Sequence, residues 1–301
     1  MSRSGPAWAL GVLAMVLFGA TLPVTRLALG AAGPGGLSPW FLTCGRVVLA
    51  ALASALVLLA LRAPPPPRPL WRPLALAAAG NALLYPLSLA LALQTVGAGH
   101  AAVVTALLPL ATAVAAALWA NDGHARGGWR FWSWALLGCA LVLAFSLWRQ
   151  RAAGGAWRPA AVDGVVALGV VAASVGYVYG ARVSRAIGAE RTICWIALAT
   201  LPVALPATLA TWPAQPVPAL AWSAFAYLGL VSMWAAFFAW YRALDWGGAV
   251  RVSQVQALQP FFAIALSVPL LGDAVDGWTI VCALAVIACV ACAQRSARGS
   301  R

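Results

Sequence analysis

The amino-acid sequence predicts an all-α membrane protein, with ten transmembrane helices arranged as two inverted five-helix repeats. Three observations carry that expectation. The 301-residue chain is 63% hydrophobic and 8% charged, whereas water-soluble domains carry about a quarter charged residues. Apolar segments of about 20 residues, the length that spans a bilayer as helix, recur along the whole chain. Finally, one stretch occurs twice. Residues 92–122 read ALQTVGAGHAAVVTALLPLATAVAAALWAND and residues 243–273 read ALDWGGAVRVSQVQALQPFFAIALSVPLLGD, aligned without a gap at an offset of 151. Gly97/Gly248, Ala98/Ala249, Pro109/Pro260 and Asp122/Asp273 coincide. A repeat covering half of a membrane chain points to two homologous halves around one pathway.

Punctuation places the helices. The spans run over residues 7–29, 37–61, 71–93, 99–120, 129–148, 160–182, 192–211, 219–242, 248–271 and 277–294. The run APPPPRP closes the second, because consecutive prolines cannot continue a helix. The linker from Arg149 to Pro159 divides a first repeat, residues 1–150, from a second, residues 158–296. The first apolar segment is too long for a cleaved signal and is followed by nine more, so it reads as a retained helix.

Arginines set the orientation. With the N-terminus in the cytoplasm, fourteen of the nineteen fall on the inner side and three in the central linker on the outer side. That bias places both termini in the cytoplasm. It also accounts for the net charge of +13 without nucleic acid as a partner. The six cysteines all lie in apolar segments and read as small reduced core residues. Helices four and nine are five crossings apart, so the two copies of the repeat run in opposite directions.

Polar side chains inside membrane helices are costly and mark candidate sites. Asn81, Tyr85 and Ser88 share a face of the third helix. Thr105 and Pro109 share one on the fourth. Ser174 and Tyr177 do so on the sixth, and Ser253, Gln256, Gln259 and Pro260 on the ninth. Trp234 adds an aromatic edge from the eighth. Ordinary interhelical bonding accounts for any one of these polar residues; the set together predicts a polar-aromatic cavity. Pro109 and Pro260 each remove a helix hydrogen bond, and the carbonyls they free can face water. Arg46, about 9 Å into the second helix at 1.5 Å per residue, either holds an anionic group or snorkels outward. His100 is a candidate for proton coupling, since imidazole titrates near neutrality. No acid falls at the midplane, and no metal cluster, phosphate-binding loop or nucleophilic triad is apparent. No cofactor is expected.

These pieces, in this order, resemble the EamA-type ten-helix transporters of the drug/metabolite transporter superfamily. The carrying segments are FGAT at Phe18–Thr21 followed by PVTR to Arg26, SPWFLTCGR ending at Arg46, and the two copies with their Leu-x-Pro centres and terminal acids. The family's terminal acid is usually Glu, and here both are Asp. The resemblance implies a secondary carrier in a bacterial inner membrane, exporting amino acids, other metabolites or drug-like compounds by alternating access. A non-transporting membrane scaffold or sensor is one alternative reading. A membrane-embedded lipid-modifying enzyme is another, but it would need clustered acids, His or Cys at one interface.

Overall fold

The computed structural model describes residues 4–30, 35–96, 98–119, 128–152, 154, 161–271 and 276–298. All the regular structure among them is helical. Eight helices are long and apolar enough to cross a bilayer: α1 (Gly5–Ala28), α2 (Pro39–Ala60), α3 (Arg68–Thr95), α5 (Trp129–Ala152), α6 (Ala161–Ile187), α7 (Ala189–Ala210), α8 (Ala219–Gly247) and α9 (Ala249–Leu271). Two shorter apolar helices complete the order: α4 (Val103–Trp119) between α3 and α5, and α10 (Gly277–Ala293) after α9. The bundle's outer surface is greasy. Leu56, Leu59, Leu168, Leu209 and Leu284 are exposed, as lipid contact requires and water does not favour. This is a multi-pass membrane protein.

Local chemistry explains the helix starts. Ser38 Oγ accepts the Phe41 backbone N–H at 3.1 Å, with Pro39 at the first helical turn. The serine satisfies an orphan donor, and the proline fixes φ where no N–H is needed. Between α8 and α9 the chain turns on one residue. Gly248 has φ +81°, a conformation that glycine adopts without a Cβ penalty. Several helices run further than hydropathy suggests. Arg149 and Arg151 lie in the last turn of α5, and Arg182 and Arg185 lie within α6. Arginine is a good helix former, and its head reaches the headgroup layer from a projecting turn, so apolarity ends before the helix does.

Equivalent helices of the two halves run antiparallel. Gly45, near the start of α2, packs on Thr208, near the end of α7. Ser54, towards the other end of α2, sits beside Cys194 near the start of α7. Likewise Arg149 at the end of α5 reaches Asp276 and Thr279 at the start of α10, at 3.9 and 3.4 Å. Most contacts between the halves come in exchanged pairs: α1 on α8 with α6 on α3, α1 on α9 with α6 on α4, and α2 on α8 with α7 on α3. Small residues permit the close approaches. A Cβ at Gly80 of α3 would land on the Ala172 carbonyl of α6, and one at Gly176 would strike the Asn81 amide. Where lipid tails are as apolar as the helices, such packing replaces the hydrophobic drive.

Candidate functional site

The helices are irregular where they meet at the centre. In α3 the backbone widens to a π-helix over Ala78–Leu84, and in α8 over Tyr227–Ala235. Shifted by the repeat offset, the first segment falls inside the second. The other matched pair behaves the same way. In α4 the α-helical winding stops at Thr105 and resumes at Leu108. In α9 it tightens to a 3₁₀-helix over Ser253–Leu258. Each break directly precedes Pro109 or Pro260, whose missing N–H cannot continue the ladder. Widened and broken helices of this kind concentrate at functional sites, because they leave backbone groups free to face a cavity.

All four irregular segments face one central cavity of about 100 Å³, room for several water molecules. Of the residues singled out from the sequence, Arg46, Asn81, Tyr85, Thr105, Pro109, Tyr177, Gln256, Gln259 and Pro260 line it. Others do not. Ser88 donates to the Tyr85 carbonyl at 2.8 Å and lies against Gly169 of α6. Ser174 is buried, donating to the Val170 carbonyl at 2.8 Å and paired with Thr112 at 3.3 Å. Ser253 is wholly enclosed and donates to the Val250 carbonyl. Trp234 packs edge-on to Phe238, 4.8 Å between ring centroids. The side chain of His100, and the helix-ending acids Asp122 and Asp273, lie outside the described residues.

The cavity has walls that no single helix's pattern announces. Phe18, Thr21 and Leu22 of α1, Pro86 of α3, and Ser232 and Phe237 of α8 complete the lining. Thr21 and Ser232 share a hydrogen bond of 2.8 Å across the halves. Pro86 was readable as a further proline inside a membrane helix. Ser232 was readable as the residue equivalent to Asn81 at the repeat offset.

Polar groups around the space are incompletely satisfied. Arg46 is 8% exposed. Its Nη2 lies 3.9 Å from the soft sulfur of Met233, and its buried Nε has no acceptor. Tyr85 and Tyr177 are its ionisable neighbours; no acid pairs with it among the described residues. Asn81 donates through Nδ2 to the Tyr241 hydroxyl at 2.9 Å, leaving Oδ1 without a donor. Gln256 is buried with neither amide atom bonded.

The cavity borders packed aromatic rings on one side and a second, smaller space on another. Trp240 and Tyr241, fully buried late in α8 together with Leu244, contact the lining residues Tyr177 and Asn81. Tyr241 presses on Gly180 of α6, and Trp240 packs on Tyr177 at 5.5 Å. A smaller annex of about 30 Å³ adjoins it between α1, α2 and α3. The annex shares Thr21, Arg46 and Tyr85 with the cavity and adds Thr25 and Thr43.

A lipid-facing bundle built from a duplicated unit around a polar chamber is the architecture of a membrane transporter. The EamA-like transporter family model matches the chain twice, over residues 5–144 and 160–293. The chain belongs to that family. It is similar to the uncharacterized transporter YdeK of Bacillus subtilis (strain 168), 37% identical over 99% of this chain and all of that one. A protein of known crystal structure shares the fold, with a TM-score of 0.75 over 100% of this chain and 99% of the other, at 22% identity.

Proposed function

We propose that the protein is a secondary-active carrier that moves small solutes through the central cavity by alternating access. In this reading all ten helices cross the bilayer, residues 1–150 and 158–296 form two inverted five-helix units, and both termini lie on the cytoplasmic side of a bacterial inner membrane. The cavity then opens to the outside, and Trp240, Tyr241 and Leu244 form the inner seal.

The supporting observation is an asymmetry between equivalent helix pairs. The packing of α6 on α8 seals one end, while the equivalent pair, α1 and α3, makes no comparable contact and borders the annex. In an inverted duplication, exchanging the conformations of the two halves moves the opening to the other side. One sequence therefore supports two access states related by rocking about a fixed site. The matched π-segments and pre-proline breaks supply the flexible points.

The polar lining supports a solute pathway over plain structural glue, because glue is hydrogen-bonded and Gln256 is not. Counterflow in proteoliposomes across a metabolite panel tests the reading. Accumulation of at least one solute, abolished by Gln256→Leu without loss of folded protein, is expected. Absence of flux for every compound with folded protein would refute transport. Export as the physiological direction follows from the family resemblance, and proton coupling through His100 from an imidazole that titrates near neutrality. A pH gradient that drives uptake equally in wild type and His100→Ala would exclude the histidine.

A further inference from the structure

We infer that the site selects solutes carrying one net negative charge beside a neutral hydrogen-bond donor, and rejects cations. This rests on the carrier reading and specifies what the cavity binds.

The first observation is the lone cation. Arg46 is more than nine-tenths buried, lines the cavity and has no acid partner among the described residues. An unpaired buried charge is expensive, because desolvation is not repaid by a counter-charge. Its neighbours offer two phenols and a thioether, none of which neutralises a guanidinium. Neither the π-bend of α3 nor the packing of α2 on α7 requires a charge there. The position equivalent to Arg46 in the second half is Ala197, fully buried between helices. The fold therefore accommodates an apolar residue at this place, and the charge answers to something other than folding. A bound carboxylate supplies the missing counter-charge, and guanidinium geometry matches it with paired N–H bonds.

The second observation is independent of the charge. Asn81 Oδ1 and Gln256 Oε1 are buried acceptors without donors, and Gln256 Nε2 is a buried donor without an acceptor, all on residues that line the same chamber. Buried polar atoms of this kind are costly while unpaired, so their best complement carries a donor next to its anionic end. Phe18, Leu22, Leu89 and Phe237 supply apolar wall for the rest of such a solute. With no carboxylate in the described lining, a cationic solute meets only Arg46 and is repelled.

The test uses three compounds on one aliphatic frame, titrated calorimetrically into the full chain in nanodiscs. They are 2-hydroxy-4-methylpentanoate (anion with a donor), 2-hydroxy-4-methylpentanamide (neutral) and leucinamide (cation). The anion is expected to bind at least about tenfold tighter than the neutral amide, as a charge-assisted bond implies, and leucinamide not at all. Arg46→Gln removes the preference and Arg46→Lys keeps part of it, so one variant's misfolding does not silence the test. Gln256→Leu weakens the anion by a further several-fold. Equal affinity for the amide, a preference that survives Arg46→Gln, leucinamide binding, or no binding of the anion would each overturn the inference. Counterflow separates the two readings. Binding of the anion without flux refutes the carrier and leaves the selectivity standing; flux of leucinamide refutes the selectivity and leaves the carrier standing.

Discussion

The contact between α6 and α8 and the looser pairing of α1 with α3, beside the annex, are the same place in the two halves. In the closed pair, Gly180 lets the Tyr241 ring press against the α6 backbone, and Tyr177 and Trp240 stack behind it. In the open pair, the equivalents of Gly180, Tyr241 and Trp240 are Leu29, Ala90 and Leu89. A bulky residue has replaced the glycine and small or flexible ones have replaced the rings. The backbone devices, by contrast, recur in both halves: a π-segment in α3 and α8, and a break before Pro109 and Pro260. The two halves share these backbone irregularities while the surfaces around them differ. Arg46 against Ala197 is the sharpest divergence, since only one half places a charge in the chamber.

The largest expected effect comes from erasing that last difference in the wrong direction. Ala197→Arg buries a second cation in a site without space or partner, at a cost of several kcal/mol. The protein should fail to elute as a monodisperse species in size-exclusion chromatography, whereas Arg46→Met should elute normally with a raised Tm. Next comes Gly180→Ala. Its Cβ overlaps the Tyr241 ring, and overpacking costs about 1–3 kcal/mol. The ring must leave the seal, so a cysteine probe at Leu244 should gain reactivity towards aqueous maleimide. Tyr241→Phe is milder. It removes the 2.9 Å bond from Asn81, worth about 1 kcal/mol, and should raise the same reactivity less while preserving the fold.

How much of this was readable beforehand follows from the distance over which each feature is decided. The repeat offset, the apolar spans, the mid-helix prolines and the polar faces of α3 and α9 are local facts, and they singled out Asn81, Gln256 and Gln259, which line one chamber; Arg46, left open between anion binding and snorkelling, lines it too. The π-segments were hidden because α3 and α8 have apolar residues nearly all round, so no hydrophobic stripe exists for a change of winding to displace. The helical period then misassigned single faces. Ser253 sits in a 3₁₀ turn below the chamber, and Ser88 turned to the space that Gly169 leaves. Tyr241, which presses on Gly180, lies late in α8, and nothing in that helix's pattern sets it apart. Its partner Asn81 is 160 residues away, beyond any pattern in one helix.

The smallest effect concerns the α5–α10 pair. Asp276, just ahead of α10, accepts the Thr279 backbone N–H at 2.7 Å. That bond, reinforced by Arg149, holds its carboxyl below the ordinary carboxylate value. Because the folded value is depressed, the stabilisation is present above the unfolded carboxylate range and is lost as pH falls through the folded value. A slightly lower Tm for Asp276→Asn than for wild type at pH 7, shrinking in acid, is expected. A constant difference at every pH would place the effect in packing.

The central claim is that one chamber is reachable from either side of the membrane, but not from both at once. Thr21→Cys in a cysteine-free chain, sealed in vesicles of known orientation, reports it directly, because Thr21 lines both the cavity and its annex. Membrane-impermeant maleimide should label it from both sides, faster through the α1–α3 opening. Adding Tyr241→Phe should slow that rate and speed labelling from the opposite side. Labelling from one side alone in both variants, or acceleration from both sides together, would contradict alternating access.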